Sequence, residues 1–425
     1  MSTNYPKIDM HNLCEITSSK RIFASDYVSE GMPFYRGKEI TEKFKGELEV
    51  STELFISKAK FEEIRVKFGV PQPGDLLLTS VGTLGSPYVV QSGEEFYFKD
   101  GNLTWFRKFK GLDSRYLYFW LVSPQGKAEL KKCTIGSSQS AFTIVLLKGM
   151  QIELPPLPVQ RRIAAILSAY DDLIENNQRR IAILEELARS LYREWFVHFR
   201  FPGHENARFV EQDGVRAPEG WDVVRYTDLV DVLSGGTPKT SVSEYWDGDI
   251  PWFTPRDRPD SFFVLDTAKR ITNLGLSKCN SKLYSQDTVF ITARGTVGEC
   301  AITAVPMAMN QTCYALRGRF LSSQYLVFLM TLELVEALKK NATGAVFDAI
   351  VVDTFRQRFI VKPPHELATQ LAALLEPSFL MIKTLQLKQV NLRRTRDLLL
   401  PRLVSGELDV SELEIAGVEV TRGND

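Results

Sequence analysis

Between Pro158 and about His198 an apolar residue returns every seventh position, at Leu167, Ile174, Ile181, Ala188 and Trp195. A second series, Tyr170, Asn177, Leu184 and Leu191, runs three or four positions out of step. Two interleaved seven-residue series predict one long helix with a coiled-coil seam. No internal glycine or proline interrupts it, and Pro158 suits a first turn, where a missing N–H costs nothing. At 1.5 Å per residue such a helix, about 40 residues long, spans roughly 60 Å. A weaker copy follows from about His365 to Leu400, with Leu375, Ile382 and Leu403 in one series and Leu385, Leu392 and Leu399 in the other. Gln389 and Arg396 interrupt its seam. Pro377 is expected to kink or restart this helix, and Pro401 to end it. Two seams of matching length predict that the helices pack on each other rather than separately on their own domains. Leu167, Tyr170, Ile174, Ile181, Leu184 and Leu191 would then face Leu375, Ile382, Leu385, Leu392 and Leu399, with Asn177 as a polar register mark.

The helices are one half of a duplication. Leu154-Pro155-Pro156-Leu157 before the first helix is answered by Lys362-Pro363-Pro364-His365 before the second. Gly82-Thr83-Leu84-Gly85 is answered by Gly295-Thr296-Val297-Gly298, and Pro33-Phe34-Tyr35 by Pro251-Trp252-Phe253. Each copy carries short β-type runs broken by glycine and proline, among them Asp75–Thr79, Tyr88–Val90 and Thr288–Thr292. Each also holds one apolar helical stretch, Arg115–Leu121 and Ser323–Met330. The expected architecture is α+β: globular domains at 1–155 and 201–362, long helices at 156–200 and 363–404, and a tail at 405–425. Phe201-Pro202-Gly203-His204 marks the linker into the second copy.

Composition narrows the class. A chain of 425 residues, 44% hydrophobic and 24% charged, is that of a globular protein of two or three domains. No run of about 18 apolar residues suggests a membrane span, and the N-terminus lacks a signal-type segment. Cys14, Cys133, Cys279, Cys300 and Cys313 follow no paired spacing, which reads as reduced thiols in the cytoplasm. Lys plus Arg equals Asp plus Glu at 52 each, and neither globular half is basic as a whole. A DNA-binding role therefore requires local positive charge or help from partner subunits.

No catalytic constellation emerges. There is no Walker-type phosphate loop. The Pro-Pro pairs lack the flanks of an adenine methyltransferase motif. Asp260 with Asp266-Thr267-Ala268-Lys269 misses a nuclease spacing by one residue. The four histidines show no metal-ligand spacing. Gly-Thr-Leu-Gly and Gly-Thr-Val-Gly read as strand-end turns whose glycines supply positive φ.

Three stretches nevertheless carry a resemblance. They are Leu154-Pro155-Pro156-Leu157-Pro158-Val159-Gln160-Arg161-Arg162-Ile163-Ala164-Ala165-Ile166-Leu167 with Arg193-Glu194-Trp195-Phe196-Val197; Leu392-Arg393-Arg394 through Pro401-Arg402-Leu403-Val404-Ser405-Gly406-Glu407-Leu408; and Pro218-Glu219-Gly220-Trp221 leading to Leu233-Ser234-Gly235-Gly236-Thr237-Pro238. With them the chain resembles, over nearly its whole length, the specificity subunit of type I restriction-modification systems. Two departures bear on how equally the halves engage partner subunits. The first domain lacks a Pro-Glu-Gly-Trp opening, and Ala368-Thr369-Gln370 replaces the Gln-Arg-Arg of the first helix.

The resemblance implies two similar target-recognition domains separated by two long antiparallel helices forming a coiled coil, the helices serving as ruler and as dock. It implies double-stranded DNA as ligand and modification (methyltransferase) and restriction (translocase/endonuclease) subunits as partners. S-adenosylmethionine, ATP and magnesium would belong to those partners, with no cofactor, metal or catalytic residue in this chain. Base edges are read by polar and basic loop residues. The candidates are Lys20, Arg21, Arg36, Lys38, Ser80, Thr83, Ser138 and Gln139 in the first domain. In the second they are Lys239, Thr240, Arg256, Arg258, Arg294, Thr296 and Gln311. A coiled-coil scaffold with two protein- or RNA-binding domains is the alternative.

Overall fold

The computed structural model describes residues 5–47, 50–136, 140–212, 214–319, 323–341 and 349–415. Internal contacts divide the chain into two units, Met1–Glu175 with Asn391–Asp425, and Asn176–Val390. These bounds fall inside the two long helices, Leu157–Tyr192 and His365–Val404, rather than at the edges of the repeat. The reason is burial: Ile163 and Leu167 belong to the first unit's core, Ile181 and Ala188 to the second's.

In the first unit an antiparallel sheet runs in the order Glu15–Thr17, Leu103–Arg107, Leu76–Thr79, Pro87–Val89. All of Leu76–Thr79 is buried, as an unbroken apolar run in a central strand requires. A second, mixed sheet joins Tyr27–Val28, Phe55–Ile56, Met32–Tyr35 and Tyr97–Phe98. The helix Ser114–Val122, capped by the Asp113 carboxylate on two backbone N–H groups, buries Tyr116, Leu117, Phe119, Trp120 and Leu121. Ile163, Ala164 and Leu167 complete this core together with Leu400, Leu403 and Val404.

The second unit repeats the plan. Its main sheet runs Val230–Ser234, Cys313–Gly318, Val289–Thr292, Cys300–Thr303, and gains an edge strand, Phe263–Val264. The mixed sheet is Arg270–Ile271, Trp246–Phe253 and Ala308–Met309. Ile181, Ala188 and Tyr192 share one core with Leu371, Leu375, Phe379, Ile382 and Leu385. Both helices also grip the added strand. Glu185 accepts from Phe262 N at 3.0 Å, while Gln386 accepts from Phe263 N (3.3 Å) and donates to Phe263 O (3.0 Å).

Register shows the duplication more sharply than sequence does. Pro33 lies opposite Phe55 and Pro251 opposite Arg270; Phe34 pairs in parallel with Tyr97 and Trp252 with Ala308. The two glycine turns are equivalent too. Gly85 N donates to Thr79 O (3.0 Å) and Gly298 N to Thr292 O (2.8 Å), and all four turn glycines have φ between 80° and 86°. A methyl group on Gly298 would also come within 2.7 Å of Val335.

One expectation fails. The second long helix neither restarts at Pro377 nor ends at Pro401, but runs unbroken from His365 to Val404. Each proline removes a single backbone donor, and on both sides the helix is held by buried residues: Leu375, Phe379 and Ile382 around the first, Leu400, Leu403 and Val404 around the second. Gly406, at φ 70°, follows directly. The first helix instead ends in a π-helical turn, Arg193–Val197.

Candidate nucleic-acid interface

The loops at one end of each main sheet are tied by the same backbone bonds in both domains. In the first, Lys99 N donates to Tyr35 O (2.9 Å), Ser80 N to Asn102 O (2.8 Å) and Phe142 N to Ser80 O (3.0 Å). In the second, Asn310 N donates to Phe253 O (2.9 Å), Ala293 N to Thr312 O (2.8 Å) and Ile350 N to Ala293 O (2.9 Å). A common frame thus presents a glycine turn, a strand-to-strand loop and the loop after the first sheet strand. Gly235 is required where that loop crosses: a Cβ there would lie 2.0 Å from Asn310 O.

Most of the candidates of the second domain sit on this frame. Arg256, Arg258, Arg294, Thr296 and Gln311 are exposed on loops that bond to one another. Lys239 and Thr240 are exposed on the neighbouring loop, where Lys239 O accepts from the Trp246 indole N–H at 3.2 Å. Arg258 lies 3.4 Å from Glu299. Among the described residues Arg256 and Arg294 have no carboxylate within salt-bridge range, which leaves both cations available to phosphate.

The first domain is more mixed. Lys20, Arg21 and Thr83 are exposed on the frame, Lys20 with its ammonium 5.2 Å from the Phe68 ring. Ser80 is buried and hydrogen-bonds Thr104 Oγ1 at 2.7 Å. Arg36 and Lys38 both bind Glu53, at 2.9 and 2.7 Å, and Arg36 also binds the fully buried Glu39. Those carboxylates raise both cations above their ordinary pKa, and Lys38 and Arg36 in turn hold the Glu53 carboxyl below its own. Ser138 and Gln139 lie outside the described residues.

Among the helix-interface candidates, Leu167, Ile174, Ile181, Leu375, Ile382 and Leu385 are buried, and Tyr170, Leu184, Leu191, Leu392 and Leu399 are half-buried. Asn177 is buried as well. Sequence reasoning missed Phe379, which is fully buried and stacks on Tyr325 with centroids 4.3 Å apart. It also missed Lys99, Asp100 and Asn102, and Thr237, Asn310 and Thr312, whose places on the frame follow from strand register. The Pro33/Pro251 and glycine-turn matches flank these positions and are the signal that could have found them.

Gln160, of the motif missing from the second helix, is an internal tie rather than a surface feature. Its Oε1 accepts from Asp113 N (2.8 Å), and its Nε2 donates to Gly111 O (2.9 Å) and Pro155 O (2.8 Å). Ala368, in the second helix, is buried among apolar neighbours.

Two copies of one α+β domain, each presenting a loop frame of constant backbone and unlike side chains, define a two-headed recognition protein. Residues 5–186 and 218–390 match the type I restriction modification DNA specificity domain. The chain belongs to that family and is a specificity subunit with two target-recognition domains, which sets aside the scaffold alternative. The type I restriction enzyme MjaIX specificity subunit of Methanocaldococcus jannaschii is 27% identical over 346 residues, 80% of this chain and 79% of its own length. The HindI specificity subunit of Haemophilus influenzae is 23% identical over 354 residues, covering 69% and 77%. The crystal structure of a type I system S subunit from M. genitalium shares the fold, with a TM-score of 0.60 at 15% identity over 94% of this chain and 96% of that one. No helix among the described residues is long and apolar enough to cross a membrane.

Proposed function

We propose that each domain reads one half of a bipartite double-stranded DNA target through its loop frame, and that the two long helices set the spacer between the halves. The carrying observation is the duplicated frame: the same three backbone bonds hold loops whose side chains mostly differ outside the shared Gly-Thr-x-Gly turn. Constant backbone with variable side chains is what sequence discrimination needs, since base edges are distinguished by donor and acceptor pattern. The chain itself is non-catalytic. Modification subunits supply S-adenosylmethionine and methylate adenine, restriction subunits supply ATP- and magnesium-dependent translocation and cleavage, and the assembly works in the cytoplasm. Neutral net charge fits a reader whose phosphate contacts are shared with those partners.

The test is co-expression with the adenine methyltransferase subunit of its own genome, followed by long-read mapping of N6-methyladenine. A single bipartite motif that disappears when this chain is omitted is the expected result. Methylation that is absent, or independent of this chain despite a soluble complex, would overturn the reading.

A further inference from the structure

Counting from strand register, the loop after the first sheet strand places Arg21 and Thr237 at equivalent positions. Thr17 lies opposite Trp105, Leu233 lies opposite Ala315, and both loops then advance four residues. The facing loop spans Lys99 to Asn102 in the first domain and Asn310 to Thr312 in the second, anchored by the equivalent bonds described above. Gln311 therefore takes the place of Asp100 and Gly101 together, the first domain having one additional residue, and of those two Asp100 carries the side chain. Across this gap, among the described residues, each domain makes one bond between two side chains: Arg21 Nε donates to Asp100 Oδ2 at 2.9 Å, and Thr237 Oγ1 donates to Gln311 Oε1; in the first domain Gly101 N also donates to Ser18 Oγ at 3.3 Å. In these loops only Ser18 and Ser234 match in sequence, yet both domains place a side-chain pair here.

We propose that these two pairs are the corresponding base-reading elements of the two domains. Arg21 with Asp100 takes a G·C pair; Thr237 with Gln311 takes an A·T pair. The inference rests on the DNA-reading function proposed above. Arg21 is two-thirds exposed. Among the described residues its two terminal nitrogens, and Asp100 Oδ1, make no other hydrogen bond. Those are the groups that meet guanine O6 and N7 and the cytosine N4 amine. Arg21 also offsets the repulsion a lone carboxylate would meet beside phosphates. In the second domain the Thr237 hydroxyl holds the exposed Gln311 amide by its oxygen, and among the described residues the amide NH2 makes no hydrogen bond. That presents the acceptor–donor edge that matches adenine N6 and N7, with a threonine methyl beside it for the thymine methyl.

The methylation map tests this directly, with the complete complex carrying Asp100→Ala, Arg21→Lys or Gln311→Ala. Asp100→Ala and Arg21→Lys should each relax one G·C position in one half-site, by roughly ten- to hundredfold in discrimination, and leave the other half unchanged. Gln311→Ala should relax one A·T position in the other half by a similar factor. Arg21→Lys keeps the charge and loses the planar fork, so an unaltered motif in that variant would reduce Arg21 to a phosphate contact and overturn the proposal. Unchanged motifs in all three variants, relaxation of an A·T position by the first-domain variants, or relaxation of one shared half by both domains would overturn it as well. All the substituted side chains lie at the surface or half-buried, and a variant that binds its target half-sites no better than non-specific DNA is checked by circular dichroism. A folded variant with all discrimination lost counts for the proposal if the loss is confined to one half. A wild-type complex with no bipartite motif would instead fail the underlying reading, before any variant is made.

Discussion

Arg396 of the second long helix hydrogen-bonds Asp171 of the first, so the residue that breaks the apolar seam carries its own counter-ion. The two side chains are about three-tenths exposed, and their partnership replaces a leucine-type contact in the first unit. Burial raises the Asp171 carboxyl pKa, and Arg396 works against that rise.

Removing one partner leaves the other charged and half-desolvated. Asp171→Asn and Arg396→Met should each cost about 1–3 kcal/mol in urea unfolding of the chain. The double replacement Asp171→Leu with Arg396→Met should recover most of it, because a packed apolar pair avoids the desolvation. Additive losses in the double variant would show that the pair is not coupled.

Gln160, itself fully buried, satisfies one backbone N–H and two carbonyls, of which that of Pro155 is buried. Gln160→Ala, which copies the residue at 368, should destabilise the first unit by about 1–3 kcal/mol, since three hydrogen bonds are lost and the Pro155 carbonyl is left buried without its partner. Hydrogen exchange at Asp113 and along Ser114–Val122 should accelerate in the variant, while amides of the second unit stay unchanged.

Phe379→Ala should be the most damaging change in the second unit. Its ring stacks on Tyr325 and lies 5.4 Å from Phe262, at the strand both helices grip. A loss of about 3–5 kcal/mol follows from the cavity and the lost ring contacts. Thermal unfolding followed by tryptophan fluorescence would measure it. By contrast, Pro377→Ala should stabilise by about 1–3 kcal/mol, because the surrounding helix is already unbroken and gains a bond.

Glu94 gives the first unit an acid-sensitive element. Burial pushes its carboxyl pKa up, but bonds from Lys43, Tyr88 and the Gln91 N–H outweigh this and hold it below the ordinary value. With the folded value depressed, its stabilisation is complete above the unfolded carboxylate value of about 4.3 and is lost as pH falls through the folded value. Glu94→Gln should therefore lower the melting temperature at pH 7 and narrow the gap to wild type on acidification below about pH 4. A gap that is independent of pH would exclude the charge as the cause.

How much of this could be read from the chain differs between helices and loops. Helix periodicity survives in sequence because burial repeats every turn: Leu167, Ile174 and Ile181 are buried where the seven-residue series puts them. Phe379 was hidden by the same rule. Ser378 holds the regular seam position, yet Phe379 next to it is the fully buried one, because this helix packs on a domain core as well as on its partner. Lone loop side chains carry no period at all. Arg36 and Ser80 look alike in sequence to any surface residue, and only the folded chain puts one between two glutamates and turns the other inward.

The duplication, the two long helices, the α+β character and the family resemblance lie in the sequence itself, since apolar spacing, glycine turns and repeated motifs are local properties of the chain. The pairing of Arg21 with Asp100 and of Thr237 with Gln311 exists only after folding. Strand register and long-range backbone bonds bring together residues far apart along the chain, and no local pattern encodes that register where the facing loops differ in length and the paired residues differ in kind.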